Sequence, residues 1–165
     1  SGIGSSQHLA GVMFSSAFDI NMIHVPYKGA GPAMQALVSN QISMGFATTL
    51  SAVTHVRANR LRALGIASLK KSEALPEAVP IADLSPGFVA ETWWGIVAPA
   101  GTPRPIAEAI SSAVREGLDK PDAKAQLIKM GVQPRPMTPD EFRSFMVDEL
   151  ARWTKVVKAS GAAEN

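Results

Sequence analysis

Met22-Ile23-His24-Val25-Pro26-Tyr27-Lys28-Gly29-Ala30-Gly31-Pro32 is the stretch on which the fold turns. Its first four residues, apolar apart from His24, read as a short buried strand, and Pro26 ends it because proline has no N–H to give a ladder. Gly29 and Gly31 then punctuate a turn, and Pro32 suits the first position of a helix reaching about Val38. A strand leading through a glycine turn into a helix is half of a strand–helix–strand unit.

The unit recurs on both sides. Upstream, Gly2-Ile3-Gly4-Ser5-Ser6 feeds a helix over residues 6–18, where Leu9, Val12, Met13 and Phe14, with Ala10 and Ala17, return at helical spacing. Downstream, the pattern predicts a strand at 42–47, a helix at 49–58 and a strand at 61–68. Alternation of this kind implies an α/β fold with a mainly parallel sheet covered by helices. The opening loop reads as the middle of a strand-to-helix connection, with no strand or initiator Met ahead of it, so the chain is expected to be a fragment of a longer protein.

Beyond residue 68 the rhythm changes. Residues 69–87, with Pro76, Pro80 and Pro86, read as loop, and 88–98 as a strand or extended crossing piece that holds Trp93 and Trp94. After Pro99-Ala100-Gly101 the chain turns helical. Thr102-Pro103 is expected to cap a helix to about Leu118, Lys120-Pro121 opens a shorter one ended by Gly131, and Thr138-Pro139-Asp140-Glu141 has capping-box spacing. The last helix is predicted to carry Phe142, Phe145, Met146, Leu150, Trp153, Val156 and Val157 on one stripe.

Composition narrows the function. At 46% hydrophobic and 18% charged, the 165 residues can bury a core, and sixteen Lys and Arg are scattered among fourteen acids. Without a basic block, nucleic acid is not implied. The absence of cysteine excludes disulfides and thiolate metal sites, and no run approaches the eighteen or so apolar residues of a membrane span, so direct membrane insertion is not expected.

Three loops carry the chemistry. In alternating α/β sheets the loops leaving strand carboxyl ends gather on one edge, where helix beginnings offer free N–H groups and a partial positive charge. Gly2-Ile3-Gly4-Ser5-Ser6, Tyr27-Lys28-Gly29-Ala30-Gly31 and Ala47-Thr48-Thr49 are such loops. Glycines admit close backbone approach, hydroxyls of Ser5, Ser6, Thr48 and Thr49 can donate to a carboxylate, and Lys28 adds charge. The plainer reading is that Ser and Thr are helix caps and the glycines turns. Gly2-x-Gly4 falls short of a dinucleotide fingerprint, since Gln7 stands at the third glycine, so no cofactor is implied.

Catalysis finds little support. Ser5 and His8 stand three apart, but no acid is placed to orient the imidazole and no Gly-x-Ser-x-Gly elbow exists. His8, His24 and His55 lie in separate elements without metal-ligand spacing, and no paired carboxylates occupy the loop edge. Asp19 and Glu91 read as solvated or structural, and Trp93 and Trp94 either meet a ligand or fill a seam.

Longer motifs add a family resemblance. Gly4-Ser5-Ser6-Gln7-His8-Leu9-Ala10-Gly11, His24-Val25-Pro26-Tyr27-Lys28-Gly29 and the run from Trp94 through Gly95 to Thr102-Pro103 resemble the Bug-type (TctC-like) receptors of tripartite tricarboxylate transporters. Leu61-Arg62-Ala63-Leu64, Thr138-Pro139-Asp140-Glu141-Phe142 and the stretch from Glu149 to Gly161 follow in the same order. The resemblance implies a periplasmic-binding-protein-like, Venus-flytrap receptor, non-enzymatic and without cofactor or metal, located in the periplasm. It would hold a small carboxylate through loop amides, hydroxyls and waters and pass it to membrane permease subunits. On this reading residues 1–95 are the ligand-closing α/β lobe lacking its first strand. Residues 96–165 are the crossover and C-terminal helices of an incomplete first lobe. The ligand-binding residues would be Gly4, Ser5, Ser6, His8, Tyr27, Lys28, Gly29, Thr48 and Thr49. The chain departs from the family at Thr48-Thr49, where an acidic or amide residue is frequent, and at Pro80-Ile81, where Pro-Thr is common. An α/β enzyme using Ser5 and His8 on an anionic metabolite, or a sensing or scavenging receptor, remains the alternative.

Overall fold

A computed structural model describes residues 1–160. Gly161, which closes the last motif, and the remaining four residues of the segment 96–165 lie outside the described residues. The helices start where the loop residues provide for them. Ser5 sits in an extended conformation and its hydroxyl accepts the His8 N–H, opening α1 (Ser6–Phe18), which ends at Asp19 in the left-handed region (φ 52°). Gly29, at φ 112°, turns the chain into α2 (Ala30–Val38), two residues earlier than Pro32 implied, and Thr48 caps α3 (Thr49–Arg57) by accepting the Ser51 N–H.

The C-terminal part is helical as expected: α4 (Arg104–Asp119), α5 (Pro121–Lys129) and α6 (Pro139–Ser160). Thr102 does not cap α4. Its hydroxyl donates to the Pro99 carbonyl at 2.8 Å, and Pro103 takes the cap position without a side-chain bond. The capping box of α6 forms in full, with the Thr138 N–H donating to Glu141 Oε2 at 2.8 Å and the Glu141 N–H to Thr138 Oγ1 at 3.3 Å.

The strands differ from expectation. Among the described residues the only bridges are isolated ones, Ile66 with Pro80 in parallel and Ser72 with Leu75 antiparallel. Residues 22–25 and 42–47 form no backbone–backbone hydrogen bond within that range. Ile23 is 90% exposed where a buried strand was predicted. An apolar run marks a segment able to pair; pairing itself needs a neighbour about 4.8 Å away, and these two segments have none.

The core sits instead around α3. Val53, Ala74, Leu75 and Ala78 are buried together, with Val56, Ala63 and Ile66 against them. The stretch read as loop therefore supplies three of the four buried residues of this cluster and contains a 3₁₀ turn at Ile81–Asp83. A second packing zone joins α6 to α1 and to the crossing piece: the Trp93 ring meets Phe142 and Phe145 edge-on, with centroids 5.7 and 5.3 Å away. Trp93 thus fills a seam. On α6 the inward-facing stripe runs through the half-buried Phe142, Phe145 and Met146 to the buried Glu149, while Leu150 is 71% exposed. Counting seven on from Phe142 gives 149, so helical geometry puts the carboxylate inward and the leucine out.

Glu149 is held there by its partners. It accepts from Trp93 Nε1 at 2.9 Å, Trp153 Nε1 at 3.0 Å, and Arg152 Nε and NH2 at 2.8 Å each. Arg152 also donates to the Val89 carbonyl at 2.8 Å, so one carboxylate and one guanidinium tie α6 to residues 89–93.

Candidate functional site

The beginnings of three helices border one space. A cavity of about 1430 Å³ is lined by Gln7 and His8 from the first turn of α1, by Tyr27 and Ala30 where α2 begins, and by Ala47 and Ser51 around the start of α3. The first two loops also touch directly. The His8 and His24 rings stack with centroids 4.1 Å apart and planes 17° from parallel, and a Cβ on Gly2 would come within 3.6 Å of the Tyr27 carbonyl.

Of the predicted ligand residues, His8 and Tyr27 line the cavity, whereas Gly4, Ser5, Ser6, Lys28, Gly29, Thr48 and Thr49 stand outside its wall. Ser5 is a cap: its hydroxyl donates to the Gly2 carbonyl at 2.7 Å and accepts the His8 N–H at 3.3 Å. Thr48 is one as well, accepting the Ser51 N–H at 3.4 Å, with its Oγ1 3.0 Å from Ser51 Oγ. Ser6 accepts from Thr92 Oγ1 at 3.1 Å, which leaves its own proton free for another acceptor. Thr49 packs its side chain against Gly131. Gly4, at φ 74°, brings its N–H to 3.2 Å from His8 Nδ1. Lys28 and Gly29 are exposed at the turn, and α2 has no side-chain cap, so its first N–H groups keep their donor capacity.

Electrostatics at the rim centre on His8. Partial burial, then the neighbouring His24, then the terminal amine, lower its pKa from the ordinary 6.5. With Nδ1 accepting from Gly4, the neutral ring carries its proton on Nε2. The rim therefore presents backbone N–H groups, a neutral imidazole, the Tyr27 phenol and the Ser51 hydroxyl. That set suits an anion carried on a small body better than a nucleophilic reaction. Ser5 and His8 meet through the His8 backbone N–H rather than through the imidazole, so no base stands on the hydroxyl.

Sequence reasoning passed over Gln7, Ser51 and Thr92. The Thr48-x-x-Ser51 spacing was the available signal for Ser51, since a cap accepts from the residue three ahead. Thr92 lies 86 residues from its partner and left no local trace. Among the described residues no group of three or more His, Asp or Glu could hold a metal, and no helix is long and apolar enough to cross a membrane.

Comparison with known proteins identifies the family. The profile of the "Tripartite tricarboxylate transporter family receptor" (TctC) family matches residues 1–162. Protein BugT of Bordetella pertussis is 34% identical over 163 residues, covering 97% of this chain and 49% of BugT. Among solved structures, R. palustris Rpa4515 with adipate superposes with a TM-score of 0.89 at 26% identity, over 96% of this chain and 53% of that one. MatC from Rhodopseudomonas palustris with bound malate gives 0.82 at 30% identity, over 95% and 55%. The chain thus spans about half the length of each of these three proteins. It carries the fold of the Bug-type periplasmic binding proteins, and it belongs to the TctC family of tripartite tricarboxylate transporter receptors.

Proposed function

We propose that this chain contributes the ligand-contacting part of a non-enzymatic, periplasmic solute-binding receptor that captures a small carboxylate and delivers it to the permease subunits of a tripartite tricarboxylate transporter. The observation that carries the reading is the meeting of the first turns of α1, α2 and α3 on one cavity. Helix starts converging there offer several N–H donors and partial positive charge to one carboxylate. The adipate and malate bound in the two R. palustris proteins support the ligand class. Of the nine residues expected to bind, His8 and Tyr27 are the best placed. Ser6 adds a free hydroxyl proton near them, and Ser5 and Thr48 support the rim by capping it.

In this reading residues 1–95 close over the ligand and 96–165 belong to the facing lobe, so that ligand stabilises a closed form recognised by the permease. The site stands open on this chain, where its hydrogen bonds compete with water, and affinity is correspondingly weak. Calorimetric titration with mono-, di- and tricarboxylates, alongside their neutral amides, tests the proposal. Heat with at least one acid and none with its amide is expected. Silence across the whole acid panel overturns the reading.

A further inference from the structure

One backbone donor at the rim is engaged by a ring that titrates. The Gly4 N–H lies 3.2 Å from His8 Nδ1, so its donor is occupied, although nothing lies within 4 Å of where a Cβ on Gly4 would stand and the loop is open to a ligand. That bond needs the neutral ring, because Nδ1 accepts only while it carries no proton. The face of the same ring stacks on His24, with centroids 4.1 Å apart, and both imidazoles border the cavity. His24 Nε2 lies 3.4 Å from the Ser1 carbonyl. A proton added at His8 Nδ1 has two effects at once. It turns an acceptor into a charged donor, and it releases the Gly4 N–H beside it.

Few groups set this equilibrium. Partial burial and His24 lower the His8 pKa, and the Ser1 amine contributes least. Tyr27 and Lys28 follow His24 in the next loop, α1 has no other ionisable side chain, and Asp19 and Lys155 border the same cavity. None of these four is among the causes of the shift at His8. No carboxylate among the described residues pairs with either imidazole, so a proton on His8 finds no counter-charge within the chain. A bound carboxylate supplies it, and an opposite charge at contact distance favours the imidazolium. With His24 stacked against the ring a second proton is opposed, so the pair takes one.

We propose that carboxylate capture at this rim takes up one proton: as the anion binds, His8 becomes an imidazolium and lets go of the Gly4 N–H, and both donate to the same carboxylate. The proposal deepens the carboxylate reading and rests on it. Its sign follows from linkage. The liganded protein holds the extra proton, so affinity rises as pH falls, by up to about tenfold per pH unit between the His8 pKa of the free protein and that of the complex.

The test is calorimetric titration of the 165-residue protein with each acid of the carboxylate panel, adipate and malate first. It is run in buffers of small and large ionisation enthalpy, so that proton uptake appears as a difference in heat. At a pH of about 6.5 the acids are ionised, so the proton goes to the protein; uptake of about one proton per ligand is expected, with Kd weakening several-fold towards a pH of about 8. The His8 ring signals in NMR are expected to change to those of the imidazolium on adding acid. His8→Gln, which can accept from Gly4 but cannot charge, is expected to bind more weakly and with the same heat in both buffers. His24→Gln is expected to move the pH profile upward. Binding with equal heat in both buffers and a flat Kd overturns the inference and leaves the carboxylate reading standing; this comparison uses the unaltered chain, so it holds even where a variant fails to fold. Uptake that survives in His8→Gln overturns the assignment to this ring. Binding of no acid in the panel overturns both readings together.

Discussion

Two side chains show how single residues set the behaviour of this chain with pH. The His8 ring is held neutral by partial burial, by His24 stacked on it and by the terminal amine, while its Nδ1 accepts the Gly4 N–H. Protonation at Nδ1 breaks that bond and sets a charge beside His24. Because its pKa is lowered on folding, the unfolded chain binds the proton first. Stability is therefore lost as pH falls from about 6.5 through the lowered folded value. Removing the neighbour relieves both main causes, so in His24→Ala the His8 titration followed by NMR is expected to move up towards 6.5. A downward move would mean that His24 stabilises the imidazolium. Glu149 works in the opposite sense. Burial pushes its pKa up, but bonds from Arg152, Trp153 and Trp93 and the Arg152 charge outweigh that and hold it below 4.5. Its contribution is present above 4.5 and is lost as pH falls through the depressed value. Glu149→Gln is expected to cost about 1–3 kcal/mol at pH 7, and the gap in Tm from the parent to narrow towards pH 3. A constant gap would show that shape, not charge, is what the site requires.

At the scale of elements, α5 and the start of α3 meet in a tight join. Gly131 has φ 79°, and a Cβ there would lie 2.8 Å from Thr49 Cβ and 3.4 Å from Ala74 Cβ. Arg57 spans the same join, donating to the Ala74 and Lys129 carbonyls at 3.4 and 3.3 Å. Gly131→Ala therefore meets two penalties, about 1–2 kcal/mol for left-handed backbone and about 1–3 kcal/mol for overpacking. Gly101→Ala, at φ 86° with nothing within 4 Å of the added Cβ, meets only the first. Urea unfolding of both variants separates the terms, and equal losses would refute the packing role of Gly131. This join also marks what the sequence could and could not tell. Gly131 was legible as a helix stop because C-terminal glycine follows from local backbone geometry. Its contact with Thr49 was not, since it depends on where two distant elements meet. Helix starts at Ser5, Thr48 and Thr138 were readable for the same local reason. The α6 stripe was read with Leu150 in place of Glu149, because hydrophobicity was allowed to outvote the seven-residue step from Phe142.

For the molecule as a whole, the α/β rhythm was legible, because glycine turns and apolar runs recur in a fixed order. Ladder formation was not, because it depends on a neighbour beside each strand. The consequence is energetic. An unfolded chain of this size exposes about 25,000 Å² and a compact fold about 7,900 Å², whereas this one retains 11146 Å². Folding thus buries roughly a fifth less surface than in a compact domain of equal length. Since denaturant sensitivity scales with area exposed on unfolding, the urea m-value is expected to fall short of the compact-domain value by about the same fraction. Equilibrium unfolding by circular dichroism, repeated at two protein concentrations, measures this directly. A full-sized m-value independent of concentration would mean that the chain in solution buries as much surface as a compact domain, against the 11146 Å² left exposed here.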